Sequence, residues 1–312
     1  RAEIARAYLA LGETDTARAE FNTVRQQDIP DEVARTVDYY LDAVDRIEFT
    51  TRTTLRGYVE GTLGYDTNVN VGPNRNSVAI PGFGGLPFDL DKNSKANKDE
   101  FGTLGAGLSL RHPLTPALAL SAGVNAWQKM NADKSQFDNA NLDANLGLVL
   151  TQERNVFSLS GQYNEFWVDD KGFRKATGLT AQWQHNLNSH DQFTAYVQYS
   201  DLQYENQSIR DADRWVYGGA YAHALKAGEI LYGGVYGVLE KEKEKGVPFL
   251  GFDGYGFRIG AQTAAGGNWV YFGSLSMEHR RYGGDDAAFL KTRNDHQYDV
   301  NLGATYRVNR EW

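Results

Sequence analysis

The chain has 312 residues, 32 Lys+Arg against 40 Asp+Glu for a net charge of −8, 33 Gly, 7 Pro and no Cys. The missing cysteines exclude a disulfide framework, a thiolate nucleophile and Cys-ligated zinc or iron–sulfur centres, and the acidic balance opposes nucleic-acid binding. Aromatics reach 12% although the mean hydropathy is −0.54. No apolar run approaches the roughly 18 residues of a membrane helix, so any membrane crossing must use strands.

Residues 1–47 hold a single glycine, Gly12, and show helical apolar spacing: Ile4, Ala7, Tyr8 and Leu11; Ala17, Phe21 and Val24; Val33, Val37, Tyr40, Leu41 and Val44. Three helices are predicted. Gly12 separates the first two, Thr14 or Asp15 is placed to cap the second, and Asp28-Ile29-Pro30-Asp31 leads into the third, with Pro30 at a helix start where its missing N–H is harmless. Tyr8, Gly12, Ala17, Phe21 and Pro30 resemble one tetratricopeptide repeat, whose small residues let antiparallel helices pack closely; an arbitrary helical hairpin is the plainer alternative. One repeat cannot bury its own apolar face, and Arg1 falls inside the first helix of the pattern. The natural protein is therefore expected to extend upstream.

From about residue 48 the grammar changes, and from 53 the period is two. Leu55, Gly57, Val59, Gly61, Leu63 and Tyr65 share one face of a strand, with Arg56, Tyr58, Glu60 and Thr62 on the other. The pattern recurs to give twelve strands, among them Leu142 to Leu150, Phe193 to Tyr199, Leu231 to Leu239 and Tyr298 to Val308. Opposite faces carry Asn125, Asp143, Asn145, Gln162, Asn164, Gln182, Gln198 and Arg258, too polar for the second face of a dry sandwich. Inward charges such as Arg56, Glu60, Asp143, Arg258 and Asp299 are of mixed sign, so no one-signed lumen is predicted.

The connections favour a membrane barrel over a soluble sheet, because outer-membrane barrels alternate long external loops with short periplasmic turns. In order they read long 66–100, short 111–116, medium 131–138, short 152–155, medium 169–173, short 187–191, medium 206–213, short 226–229, long 241–253, short 265–268 and long 282–295. All seven prolines are placed outside strands. Tyr65, Tyr163, Trp183, Tyr199, Trp215, Trp269 and Tyr298 lie on apolar faces near strand ends, as an aromatic girdle requires, although sheets enrich Tyr and Trp in any setting.

No catalytic, cofactor or metal motif emerges. The six histidines are scattered, with His190-Asp191 and Asp295-His296 assigned to connections, and no GxSxG is present. Asp66-Thr67-Asn68-Val69-Asn70 begins like a calcium loop but has Val71 where Gly is needed and Ser77 where a Glu is needed; turn hydrogen bonds are the ordinary use of such residues. The alternating run Glu240 to Lys245 reads as a solvated strand end. Within the longest loop, Val78 to Leu90 is apolar, and Phe83, Leu86 and Phe88 are candidates for an inward plug or an external contact surface.

The order of parts, helices and then a strand reading Gly57-Tyr58-Val59-Glu60-Gly61-Thr62-Leu63-Gly64-Tyr65 into Asp66-Thr67-Asn68-Val69-Asn70, resembles the surface lipoprotein assembly modulator (Slam) family of Gram-negative outer membranes. Asp66, Asn68, Val69 and Asn70 carry the motif-like part of that resemblance. It implies a periplasmic helical domain ending at 47, a barrel over 48–312, and delivery of client lipoproteins to the cell surface, with outer-membrane lipids and a client polypeptide as partners of a monomeric barrel. It implies fourteen strands where twelve are visible; 309–312 reads as a turn entering a thirteenth, so two C-terminal strands are expected to be missing, the alternative being a complete barrel of twelve, an even number, that ends at Trp312. The alternatives are a passive channel or polysaccharide exporter and, from a different class, an outer-membrane enzyme.

Overall fold

The structure, a computed structural model, describes residues 1–27, 29–225, 229–264 and 268–308. The expected turn at 309–312 lies outside the described residues, as does Asp28.

Three helices come first: α1 (Ala2–Ala10), α2 (Thr14–Arg25) and α3 (Asp31–Thr51). Gly12 ends α1 with φ 78°, the left-handed region that only glycine enters freely, and the amides of Gly12 and Glu13 bond back to Leu9 O (3.0 Å) and Tyr8 O (2.9 Å). Neither Thr14 nor Asp15 caps α2. Glu13 holds the N-cap position without a side-chain bond, and Asp15, one residue inside, reaches Arg52 at 2.5 Å instead. Pro30 precedes α3, which runs past residue 47 to Thr51. Between the helices Ala5, Ala17, Phe21, Val24, Val37, Leu41 and Val44 form a dry core, with Tyr40 stacked on Phe21 at 5.3 Å and Tyr8 packed at its margin.

The rest is strand. β1 (Thr54–Asp66) is followed by a small hairpin, β2 (Ser77–Ala79) and β3 (Pro87–Asp89), and then by β4 (Asp99–Pro113), β5 (Leu118–Asn131), β6 (Asn139–Gln152) and β7 (Asn155–Val168). The sheet continues through β8 (Lys171–Asn186), β9 (Asp191–Tyr204), β10 (Ala212–Ala224), β11 (Ile230–Glu242), β12 (Phe252–Ala264), β13 (Trp269–Asp286) and β14 (Lys291–Tyr306). Twelve of these strands form one antiparallel sheet in chain order, from β1 and β4 through to β14, with β2 and β3 paired separately. Pro87 and Pro113 sit at the first and last positions of their strands, where a missing donor is tolerated.

The sheet has almost no dry interior. Its apolar face looks outward, with Val235 67% and Leu146 59% exposed, while the inward face is polar. Such an arrangement is stable only with hydrocarbon outside and water or polar side chains inside, and strands of 13 to 18 residues suit a tilted crossing. Outward rings gather toward both ends: Trp183 beside Phe193 (5.9 Å) and Trp269 beside Tyr306 (5.0 Å) near the short turns, Tyr199 beside Trp215 (5.0 Å) toward the loops. The protein is a transmembrane β-barrel preceded by helices.

Two connections are shorter than the sequence predicts. The link after β7 is only Asp169-Asp170, with φ 52° and 56° at consecutive residues, the conformation of a type I′ hairpin turn. The link after β13 is 287–290 rather than 282–295, because Asp286 closes the turn by accepting the amides of Ala288 (2.8 Å) and Phe289 (3.1 Å) and the strands run on to reach it. Asp295 and His296 accordingly lie within β14.

Among the described residues the edge strands β1 and β14 do not pair with each other. The sheet nevertheless curls back on itself, since the amide of Gly82, in the loop after β1, donates to Ala288 O at 2.7 Å in the turn before β14.

Candidate functional site

Asp66-Thr67-Asn68-Val69-Asn70 ties the long first loop to the rim. Asp66 accepts the amide of Asn68 (2.9 Å) with one oxygen and Lys129 Nζ (2.7 Å) with the other. Asn68 exchanges both amide-group bonds with the backbone of Gly72, at 3.0 and 2.9 Å. Asn70 crosses the loop, donating to Asn93 O (2.6 Å) and Lys95 O (2.5 Å) and accepting the amide of Asn97 (2.9 Å), while Val69 donates its amide to Asn97 O (2.7 Å). The motif closes a loop with local hydrogen bonds. Among the described residues no group of three or more His, Asp or Glu is placed to hold a metal ion.

Farther along this loop the β2–β3 hairpin lies across the seam. Phe83 meets Phe88 edge to face at 6.3 Å, and Phe83, Leu86 and Phe88 remain 65%, 65% and 45% exposed. The hairpin docks through Gly82, where a Cβ would meet Ala287 O at 2.7 Å and Ala288 O at 2.9 Å. None of the three apolar side chains lines the cavity found at the loop end of the lumen.

That cavity, of about 730 Å³, opens at the loop end of β8 to β14. Its cations are Arg174, Arg210, Arg214, Arg280, Lys291 and Arg293; its acids are Glu240 and Asp286, and Asp286 is engaged by its own turn. The pairing of Arg214 with Glu240, and of Glu240 with Phe252, places these three on one inward face. Arg214 Nε stands 3.2 Å from Glu240, Arg280 bonds Glu278, and Arg293 reaches Asp295 at 2.6 Å. Rings carry part of the remaining charge: Arg210 lies over Tyr204 (4.6 Å), Arg293 over Tyr282 (4.8 Å) and Arg280 over Phe252 (5.2 Å). Phe249 and Leu250 roof the cavity from the loop after β11, which is held down by the amide of Gly283 donating to Pro248 O at 3.1 Å.

The inward charges read from the sequence stay mixed in sign, but the lining of this cavity holds six cations to two acids, with Glu278 and Asp295 answering Arg280 and Arg293 from outside the lining. Arg174, Arg214 and Arg280 sit on separate strands, and each looks alone in the sequence; only the register brings them together. Counting inward positions back from each loop would have found them. Glu240, read as part of a solvated run, instead faces this cavity, whereas Lys243 pairs outside it with Asp201 at 2.7 Å.

The histidines are dispersed. His112 bonds Thr53 Oγ1 (2.7 Å), His185 bonds Asn155 (2.8 Å), and His279 and His296 stack across β13 and β14 at 4.5 Å. His190 Nδ1 lies 2.9 Å from Ser189 Oγ, and His223 meets the neighbouring carboxylate of Asp191 at 2.6 Å, which also accepts the Tyr221 hydroxyl. The repeat-packing residues Tyr8, Gly12, Ala17 and Phe21 are all at the interface or turn of α1 and α2.

A model of the surface lipoprotein assembly modifier family matches residues 56–308. No curated protein matches the chain. Among solved structures it is similar to OmpT, an outer membrane protein of Vibrio cholerae, at 10% identity and TM-score 0.42 over 81% of this chain and 99% of that one. It is also similar to the Pseudomonas putida toluene transporter TodX (11% identity, TM-score 0.41, 81% of this chain and 77% of that one). A Pseudomonas aeruginosa FadL homologue gives 12% identity and TM-score 0.37, over 81% and 89% of the two chains.

Proposed function

Because the chain belongs to the surface lipoprotein assembly modifier family, and so serves surface lipoprotein assembly in the outer membrane, we propose that its own part is delivery: the helices receive a client lipoprotein on the periplasmic side and the barrel passes it outward. The observation that carries this reading is the junction. α3 runs to Thr51 and leads directly into β1, Arg52 binds Asp15 at 2.5 Å, and Thr53 binds His112 at 2.7 Å near the end of β4. A helical body with its own core is thus fixed at the short-turn end of the barrel, the end that faces the periplasm in outer-membrane barrels. Helices of tetratricopeptide type offer a concave surface for an extended polypeptide. Deleting residues 1–47 from the intact protein should abolish surface display of a co-expressed lipoprotein while the barrel still inserts. Undiminished display would overturn the reading.

The clustered cations favour a second reading, an anion-selective channel. It predicts a steady conductance in planar bilayers that is selective for anions and independent of any client, whereas a delivery factor predicts none without its client.

A further inference from the structure

The cation-lined cavity is assigned no role by the family or by the delivery reading. Its side chains point into the lumen, away from the lipid, so headgroups of the surrounding leaflet are not its occupant. Guanidinium groups held close together repel one another in a site of reduced dielectric, and the protein offsets this only in part. Arg280 is answered by Glu278 and Arg293 by Asp295, but Glu240 has only Arg214 at 3.2 Å, Asp286 is turned to backbone amides, and the buried Arg174 Nε has no hydrogen-bond partner. Arg214 Nε likewise lacks one, lying 3.2 Å from Glu240 without making a hydrogen bond to it. A buried unsatisfied donor is costly, and an anion would satisfy it.

The protein's own Glu240 shows what kind of anion fits, because a side-chain carboxylate already stands among these guanidinium groups, 3.2 Å from Arg214 Nε, and arginine is the side chain best suited to carboxylate. The walls add Phe249, Phe252, Tyr282 and Phe289, which inorganic phosphate could not use but apolar side chains could. The volume of about 730 Å³ suits a few residues of chain, within the range of about 300–1,000 Å³ typical of sites that enclose organic ligands.

We infer that this cavity binds a short polypeptide segment in which carboxylate side chains alternate with apolar ones, exchanging its own Glu240 for the carboxylates of the incoming chain. The inference rests on the reading that a client polypeptide enters the lumen. It makes the loop end of the lumen a station for acidic segments, with affinity set by charge and so reduced by salt.

The test uses the full chain purified in detergent and a labelled hexapeptide alternating Glu and Phe, followed by fluorescence anisotropy. A peptide alternating Gln and Phe, and tripolyphosphate as competitor, are the comparison probes. The Glu peptide should bind, the Gln peptide should bind about tenfold or more weakly, and Arg214→Gln with Arg280→Gln should weaken the Glu peptide by a similar factor, the size expected for losing charge-assisted hydrogen bonds. Glu240→Gln, which removes the competing carboxylate, should tighten it, so the inference stays testable if the double variant fails to fold. Arg258→Gln, on the same inward face outside the cavity, should change nothing. Equal binding of the two peptides, no response to either variant, or binding of tripolyphosphate without the Glu peptide would each overturn the assignment. Because binding is read on purified protein, its failure leaves the display experiment on the helices untouched.

Discussion

Gly82 and Ala288 join the two ends of the sheet: the amide of the first, in the loop after β1, donates to the carbonyl of the second, in the turn before β14, at 2.7 Å. The contact bridges edge strands that do not pair with each other among the described residues. It works only because residue 82 has no side chain, since a Cβ would stand 2.7 Å from Ala287 O and 2.9 Å from Ala288 O. Gly82→Val should therefore lift the β2–β3 hairpin at a cost of about 1–3 kcal/mol, the usual range for overpacking. Limited proteolysis should cut within 77–90 faster in the variant, while barrel unfolding stays where it was. Unchanged cleavage would show that the hairpin does not depend on this dock.

Asn70 is the second fastening of the same loop, and it uses both halves of its amide: Nδ2 donates to two carbonyls and Oδ1 accepts one N–H. Asn70→Asp keeps shape and acceptor but turns the donor into an anion facing Asn93 O and Lys95 O. It should loosen the loop at least as much as Asn70→Ala, by about 1–3 kcal/mol, chiefly from Asn93 O left without this donor, since Lys95 O keeps the Nδ2 of Asn97. Hydrogen exchange at Asn97, whose amide bonds Asn70, reads the effect directly. If Asp behaved like wild type, the donor half would be idle.

Asp91 makes the same loop sensitive to acid. Its carboxylate accepts the amides of Ser94 (2.8 Å) and Asn93 (2.7 Å), and these bonds hold its pKa below the ordinary value of 3.8. A carboxyl depressed in the folded state stabilises it fully above the unfolded value, and this contribution fades as pH falls through the lower folded value. The amide resonances of Asn93 and Ser94 should hold steady from neutral pH down to about 4 and shift only below the ordinary carboxylate range. A midpoint at or above 3.8 would contradict the hydrogen bonds that define the turn.

The parts of this fold that local chemistry decides were legible in the residues. Gly12 ends a helix, period-two alternation marks each of the twelve strands of the main sheet, and Asp66 and Asn68 make the turn their side chains favour. What escaped depends on partners distant in sequence. Asp15 suits a helix cap by type, yet Arg52, at the far end of α3, competes for it and wins. Arg174, Arg214 and Arg280 become a cavity only through the strand register, and Glu240 changes from a solvated charge to a lumen group for the same reason. The links at 169–170 and 287–290 were overestimated because polar residues at the rim read as loop, while the strands continue beyond the hydrocarbon layer, where no apolar alternation is required.

The turn at Asp169 and Asp170 offers a way to strengthen the barrel. Both residues hold positive φ, 52° and 56°, which an L-residue adopts against a steric penalty that Asp lessens but does not remove. Type I′ turns favour glycine at the second central position, so Asp170→Gly relieves that penalty while leaving Asp169 bound to Lys171 at 2.7 Å. The larger entropy loss of glycine on folding subtracts from the gain, which leaves about 0.5–1 kcal/mol of net stabilisation. Asp170→Val, a β-branched residue forced to positive φ, should act in the opposite direction and by more. Urea unfolding of the purified barrel should place the three proteins in the order Gly, wild type, Val. Equal midpoints for all three would mean that the hairpin opens before the transition that urea measures.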